Sequence, residues 1–176
     1  MLSVGDFFEL TYESQTSAGK SHKSAASTKV ALSGRFAGVY ITGTSSYIHP
    51  TAGDQGGWDG AEVVIESVDD VTYHILANGP WDNSVDPDNE FYFTVDGEGK
   101  ITIPKEYGGS VQTVWGGADE VANCDDNPTL LPDVNCGESN YTVKDDVNGA
   151  DQVIMSHGYI RDSGTRQFYY ELTKKI

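Results

Sequence analysis

The chain has 176 residues, a formal charge of −16, and a composition rich in Gly, Tyr and Phe. That length fills one core and is too short for two domains of ordinary size. The charge repels phosphate backbones and anionic head groups, which argues against nucleic-acid and membrane-surface roles, and no apolar run approaches the roughly 18 residues of a spanning helix.

Taken in chain order, "DFFELTYE" (6–13) alternates so that Phe8, Leu10 and Tyr12 share one face and Glu9, Thr11 and Glu13 the other, the period of a strand. Residues 1–16 are read as a semi-detached N-terminal strand. The next stretch, 17–29, is Ser/Ala-rich, acid-free and carries Lys20, Lys23 and Lys29. It reads as a linker, having little apolar surface to offset the entropy of ordering. The main domain is placed at 30–176. It opens with "VALSGRFAGVYITGTSSYIH", a Gly-punctuated strand, followed by the irregular "TAGDQGGWDG". "AEVVIESVDDVTYHIL" reads as a hairpin, as does "FYFTVDGEGKITIP", whose "DGEG" tolerates positive φ. Val111 to Trp115 form a short strand and "ADEVA" one helical turn. "NYTVKDD", "QVIMSHGYI" and "RQFYYELTKKI" complete a meander. The fold class expected is all-β: an antiparallel meander of about 8–10 strands, closed as a barrel or folded as a sandwich, with negligible helix.

Cys124 and Cys136 flank a polar loop with no other Cys and no His near it, a spacing that predicts a disulfide staple rather than a metal site. An oxidised staple, an acidic surface and few lysines suggest an extracellular or outer cell-surface setting. The opening "MLSVGDFFEL" lacks the basic n-region and long apolar core of a signal peptide, so the chain is read as mature or trimmed.

The pieces "LSGRFAGVYIT", "VVIESVDDVTYHIL", "FTVDGEGKITIP" and "IMSHGYIRDSGTRQFYYELTKKI", in that order, resemble the C-terminal β-domains of surface lipoproteins of Bacteroidetes. The resemblance covers residues 31–176 and is one of hairpin pattern rather than of chemical motif. It implies a secreted or outer-surface, often modular protein, near polysaccharide-uptake systems and mostly without assigned activity. The "GRFAGVY" strand also resembles those of lipocalin-like barrels, an analogy of fold that transfers no ligand.

Gly-x-Ser-x-Gly, His-Glu-x-x-His, Cys-x-x-Cys and phosphate-cradling glycine loops are all missing, and the four His are scattered. No catalytic residue is assigned, and no enzyme is expected. His74 and His157 fall within strands and are read as structural. The three Trp sit in Gly-flanked loops with an acid nearby: Trp58 with Asp59, Trp81 with Asp82, and Trp115 with Asp119. An aromatic face for C–H bonds, with carboxylates and amides for hydroxyls, is what a neutral polyol requires. Each Trp has a competing reading as an inward plug at a barrel end. In "DNSVDPDNE", Asp82, Ser84, Asp86 and Asp88 recur at every second position, placing hard oxygens as a calcium loop does, although the turn Gly and the bidentate Glu are missing. Asp82, Asp86 and Asp88 are the candidate Ca2+ ligands, and no other cofactor is expected.

The function expected is that of a non-catalytic binding or adhesion module with carbohydrate as ligand. Its partners would be a glycan or another neutral polar molecule, other copies of the chain, or a surface complex, with neither nucleic acid nor membrane insertion involved. The alternative is an assembly subunit whose N-terminal strand completes a neighbour's sheet.

Overall fold

The computed structural model describes residue 4 and residues 6–76, 89–115 and 117–176, without the side chains of residues 29 and 31. The strands are β1 (Phe7–Gln15), β2 (Ser21–Ala31), β3 (Gly38–His49), β4 (Gly53–Asp54), β5 (Glu62–Ser67), β6 (Thr72–Leu76) and β7 (Phe91–Val95), followed by β8 (Ile101–Thr102), β9 (Glu106–Tyr107), β10 (Ser110–Val111), β11 (Thr113–Val114), β12 (Asp119–Asn123), β13 (Tyr141–Val143), β14 (Gln152–Ile160) and β15 (Arg166–Lys174). One 3-10 turn, Pro128–Leu130, accompanies them among the described residues. The all-β expectation holds. "ADEVA" is the exception within it: Asp119–Asn123 is strand, because Val121 and Ala122 face packed neighbours and the backbone pairs with Tyr159 and Gly158.

The main sheet is antiparallel and runs β11-β12-β14-β15-β3-β5-β6-β7-β8, with β13 beside β14 and β4 beside β3. It curls until its two ends meet at two seams. At one, Lys100 bridges Tyr141; the Ile101 N–H donates to the Asn140 carbonyl and the Thr142 N–H to that of Gly99, each at 2.8 Å. Gly99 is needed there, since its φ is +89° and a Cβ would collide with the Thr142 hydroxyl. At the other seam the Gln112 side chain acts as a strand residue. Its Oε1 accepts from the Tyr92 N–H at 2.6 Å, and its Nε2 donates to the Tyr92 and Pro104 carbonyls at 3.0 and 2.6 Å. The Gln112 carbonyl accepts from the Val121 N–H, joining β7 to β12.

Curling gives each strand an inside. Tyr40, Ile65, Ile75, Phe93, Ile101, Met155, Phe168, Tyr170 and Leu172 fill it, almost wholly shielded from solvent. The outer face of β14 is buried too, under a smaller cluster of Ala122, Leu131 and Val134 packed with Ile48, Cys124, Cys136, Ile160 and Tyr169. The loop between the cysteines lies over this face, and Gly158 makes the fit: a Cβ there would strike the Arg166 carbonyl and Leu131.

The N-terminal region corrects the sequence reading. Residues 17–29 are not a linker; they hold a turn at Gly19 and most of β2, which pairs with β1 from Phe7 opposite Ala31 to Gln15 opposite Ser21. Their small polar side chains hide the strand from a pattern search, whereas backbone pairing with an already regular β1 orders them. β1 and β2 form a two-stranded ribbon outside the main sheet. Its base is tied by Leu32 N–H to the Asp6 carbonyl at 2.8 Å, and Val4 N–H reaches Asp70 Oδ1 at 3.3 Å.

Candidate functional site

Two of the three Trp loops turn inward. Trp58 is 8% exposed and packs on Phe168 and Tyr170 with ring centroids 6.2 and 5.6 Å away. Its N–H donates to Ser45 Oγ, and that hydroxyl donates to Asp59 Oδ1 at 2.6 Å. Asp59 therefore shapes the loop that seats Trp58, although its residue surface is exposed. Trp115 is half-buried against Tyr159, with the Arg161 guanidinium 5.8 Å from its ring. Arg161 Nε and Nη2 both meet Asp119 Oδ2, at 2.7 and 2.5 Å; Asp119 is buried and raises the Arg161 pKa. Tyr159 in turn packs on Phe168, so Trp58, Phe168, Tyr159 and Trp115 form one ring row closed by Arg161. The structure thus links Trp58 and Trp115 through one ring row, with Trp58 buried as a plug and Trp115 half-buried beside Arg161. The physical reason is that a Trp beside a curled sheet buries more apolar surface inward than outward.

Trp81, and with it Asp82, Asp86 and Asp88, lies outside the described residues. Among the described residues no group of three or more His, Cys, Asp or Glu is arranged to hold a metal. The predicted Cys124–Cys136 disulfide is formed, with Cα atoms 5.4 Å apart.

A groove lies on the outer face, beside the disulfide loop. It is an open groove of about 360 Å3, lined by Ser46, Ile48, Asp54, Asp133, Val134, Asn135, Glu138 and Tyr169. Strand register builds its floor: Ser46 of β3 sits opposite Tyr169 of β15, and Ile48 opposite Gln167. One wall is Asp54, carried by β4 opposite Ile48. Its carboxylate accepts from Ser46 Oγ at 3.2 Å and from the Gly56 N–H at 2.8 Å.

The other wall is the disulfide loop, which Gln167 clamps. Gln167 Oε1 accepts from the Asp133 N–H at 2.9 Å, and its Nε2 donates to Asp133 Oδ2 at 2.6 Å. Gln167 is itself buried and Asp133 exposed, so the clamp is anchored from the sheet side. Asn135 Nδ2 donates to Glu138 Oε2 at 2.6 Å, and Ser139 Oγ to the Asn135 carbonyl at 2.9 Å. Tyr169 donates its hydroxyl proton to Glu171 Oε1 at 2.6 Å. Burial, followed by that carboxylate, pushes its pKa up to about 12, so the ring stays neutral at physiological pH. The groove thus offers an aromatic face, an aliphatic floor and a set of carboxylate and amide oxygens on two rigid walls.

Of its lining, Asp133, Val134 and Asn135 fall in the polar loop between the cysteines, and none carried a functional signal of its own in the sequence. Tyr169 alternates outward in a strand with Phe168 and Tyr170 facing inward; an aromatic at an outward position was the available signal. Comparison of the chain with protein-family models, curated proteins and solved structures finds no match.

Proposed function

We propose that the protein is a non-catalytic binding module of the cell exterior, and that it holds carbohydrate in the groove beside the disulfide loop. The observation that carries this is the partnership of Tyr169 with Asp54, Asp133, Asn135 and Glu138 around a volume of about 360 Å3, within the usual range of small-ligand sites. A sugar ring presents an apolar C–H face and several hydroxyl donors. Tyr169 and Ile48 meet the first, and the carboxylate and amide oxygens accept from the second. The acidic rim disfavours uronic and sialic acids, whose carboxylates it repels, and favours neutral or amino sugars.

The disulfide is compatible with an extracellular setting, and no helix among the described residues is long and apolar enough to cross a membrane, which is silent on strands. The hairpin resemblance to Bacteroidetes surface lipoproteins supports the same setting and remains part of this proposal.

The test is a glycan array followed by saturation-transfer NMR on any neutral or amino sugar retained, with Tyr169→Ala and Asn135→Ala alongside the unaltered chain. Binding is expected to fall by roughly tenfold or more in each variant, the loss of one stacked ring or one bidentate amide. A blank array, or retained binding in both variants, would sink the reading.

A further inference from the structure

The β1–β2 ribbon carries a second surface, independent of the groove. Every residue of β1 is exposed. By alternation Phe8, Leu10, Tyr12 and Ser14 lie on one face, and register sets Val30, Thr28 and His22 opposite Phe8, Leu10 and Ser14. No Asp, Glu, Lys or Arg belongs to that face. Phe8, Leu10, Val30 and Tyr12 are between 46% and 61% exposed on it. The opposite face takes Glu9 and Glu13, the latter opposite Lys23 by register. Ser27 and Ser21 hydroxyls donate to the Glu9 and Glu13 carboxylates.

A ribbon of two strands is at best marginal in water by itself, and a contiguous apolar face on an otherwise acidic chain marks an interaction surface. Charge identifies the occupant. Between Asp6 and Ala31 three acids balance three lysines, so the whole formal charge of −16 belongs to the rest of the chain. Two copies meeting through their barrels would repel. Two ribbons meet without net charge.

We infer that the chain self-associates through this face, two ribbons stacking antiparallel about a twofold axis with Leu10 of each copy over Tyr12 of the other. The interface is isologous, and Phe8 at the base of each ribbon covers Ser14 and His22 near the tip of the second. Nine residues of β1 span roughly 30 Å at ~3.3 Å each, so antiparallel stacking holds the two barrels at opposite ends of the ribbon pair. That separation exceeds the Debye length of about 8 Å at physiological ionic strength, and the barrels' repulsion is screened. Edge pairing is the poorer geometry: antiparallel β1 on β1 about Thr11 would set Glu9 against Glu13 of the second copy twice over. The lysines of β2 guard its edge in the same way.

Sedimentation velocity on the full chain across a micromolar concentration series tests this, with Leu10→Glu on the apolar face and Thr11→Glu on the charged face. Neither side chain contributes to the barrel core, and near-ultraviolet circular dichroism checks that the barrel is unchanged. The unaltered chain and Thr11→Glu are expected to dimerise alike, with Leu10→Glu weakened by roughly tenfold or more. Added salt above physiological strength should not weaken the dimer, because its contact face carries no Asp, Glu, Lys or Arg. A chain that stays monomeric at its highest concentration overturns the inference and leaves the face to another protein. Equal loss in both variants overturns it as well, by removing the distinction between faces.

Discussion

The imidazole of His157 lies almost parallel to the ring of Phe168, with centroids 4.9 Å apart and planes 13° apart. Phe91 closes over it at 4.6 Å and Tyr170 at 5.6 Å. Both ring nitrogens are buried without a hydrogen-bond partner among the described residues. The side chain therefore behaves as a flat aromatic filler, and its protonated form has nowhere to place a charge.

Burial alone holds the His157 pKa down at about 3, against an ordinary 6.5. The native state binds no proton there between these values while the unfolded chain does, so stability falls as pH drops from about 6.5 towards 3 and levels off below. The slope is on the order of 1 kcal/mol per pH unit. Asp151, held below the ordinary 3.8 first of all by its bidentate pairing with Arg35, contributes stability that is lost only as pH falls below that value. Urea unfolding between pH 4 and 6.5 therefore isolates His157. In His157→Phe this slope should largely vanish, with neutral-pH stability unchanged or higher. A slope that persists would show that another histidine carries it.

Trp58 is predicted to matter to stability and not to ligand. Trp58→Ala should cost about 3–5 kcal/mol, the usual loss for a buried aromatic, measured by chemical denaturation at neutral pH. Acrylamide should quench its emission poorly, assigned by comparison with Trp58→Phe. Efficient quenching together with a small stability loss would return Trp58 to the surface role that its Gly-flanked loop suggested.

What the sequence made legible was whatever a period of two can encode. The hairpins around "SVDD" and "DGEG" and the final strand pair all appear, because alternate residues there face either the core or water, and the strand at 6–13 appears through the same period although both of its faces are exposed. β2 was hidden, since Ser, Ala and Thr carry little hydrophobic pattern and their order comes from the partner strand. The groove was hidden for a different reason. Ser46 and Asp54, the Asp133–Glu138 stretch and Tyr169 come from three distant segments, and only the curl of the sheet and the register of β3 on β15 bring them together. The Trp58 loop could be read either way, because aromatic, glycine and acid in a loop serve a buried plug as well as an open platform, and only the packing of Trp58 on Phe168 and Tyr170 decides for the plug.

The Gln112 seam should be a point of weakness. One side-chain amide supplies three hydrogen bonds to the backbones of Tyr92 and Pro104, and no alternation on a neighbouring strand can replace them. Gln112→Ala is expected to cost about 1–3 kcal/mol, the penalty for leaving buried backbone groups unpaired. Hydrogen exchange should show the Tyr92 amide losing protection ahead of Phe93, whose place in the core does not depend on the seam. Unchanged protection at Tyr92 would mean that water or a shifted strand takes over the role of the amide.

Reduction of Cys124–Cys136 separates the barrel from its groove. The closed loop is short, so opening it should cost on the order of 2–3 kcal/mol by the chain-entropy argument. The main core does not include the loop, and a reduced chain should still unfold cooperatively with its β circular dichroism intact. The loop's own hold on the barrel is small: Leu131 and Val134 against Ala122 and Ile48, and the Gln167 clamp on Asp133. Without the staple that clamp must order the wall alone. Asp133, Asn135 and Glu138 then lose their fixed spacing from Asp54 and Tyr169, and any ligand held between the walls must bear the ordering entropy itself. Reducing agent should therefore weaken sugar binding by a larger factor than it shifts barrel stability would suggest, with Cys124→Ser/Cys136→Ser behaving like the reduced chain. If the double variant binds as tightly as the oxidised chain, the disulfide loop is not a wall of the site.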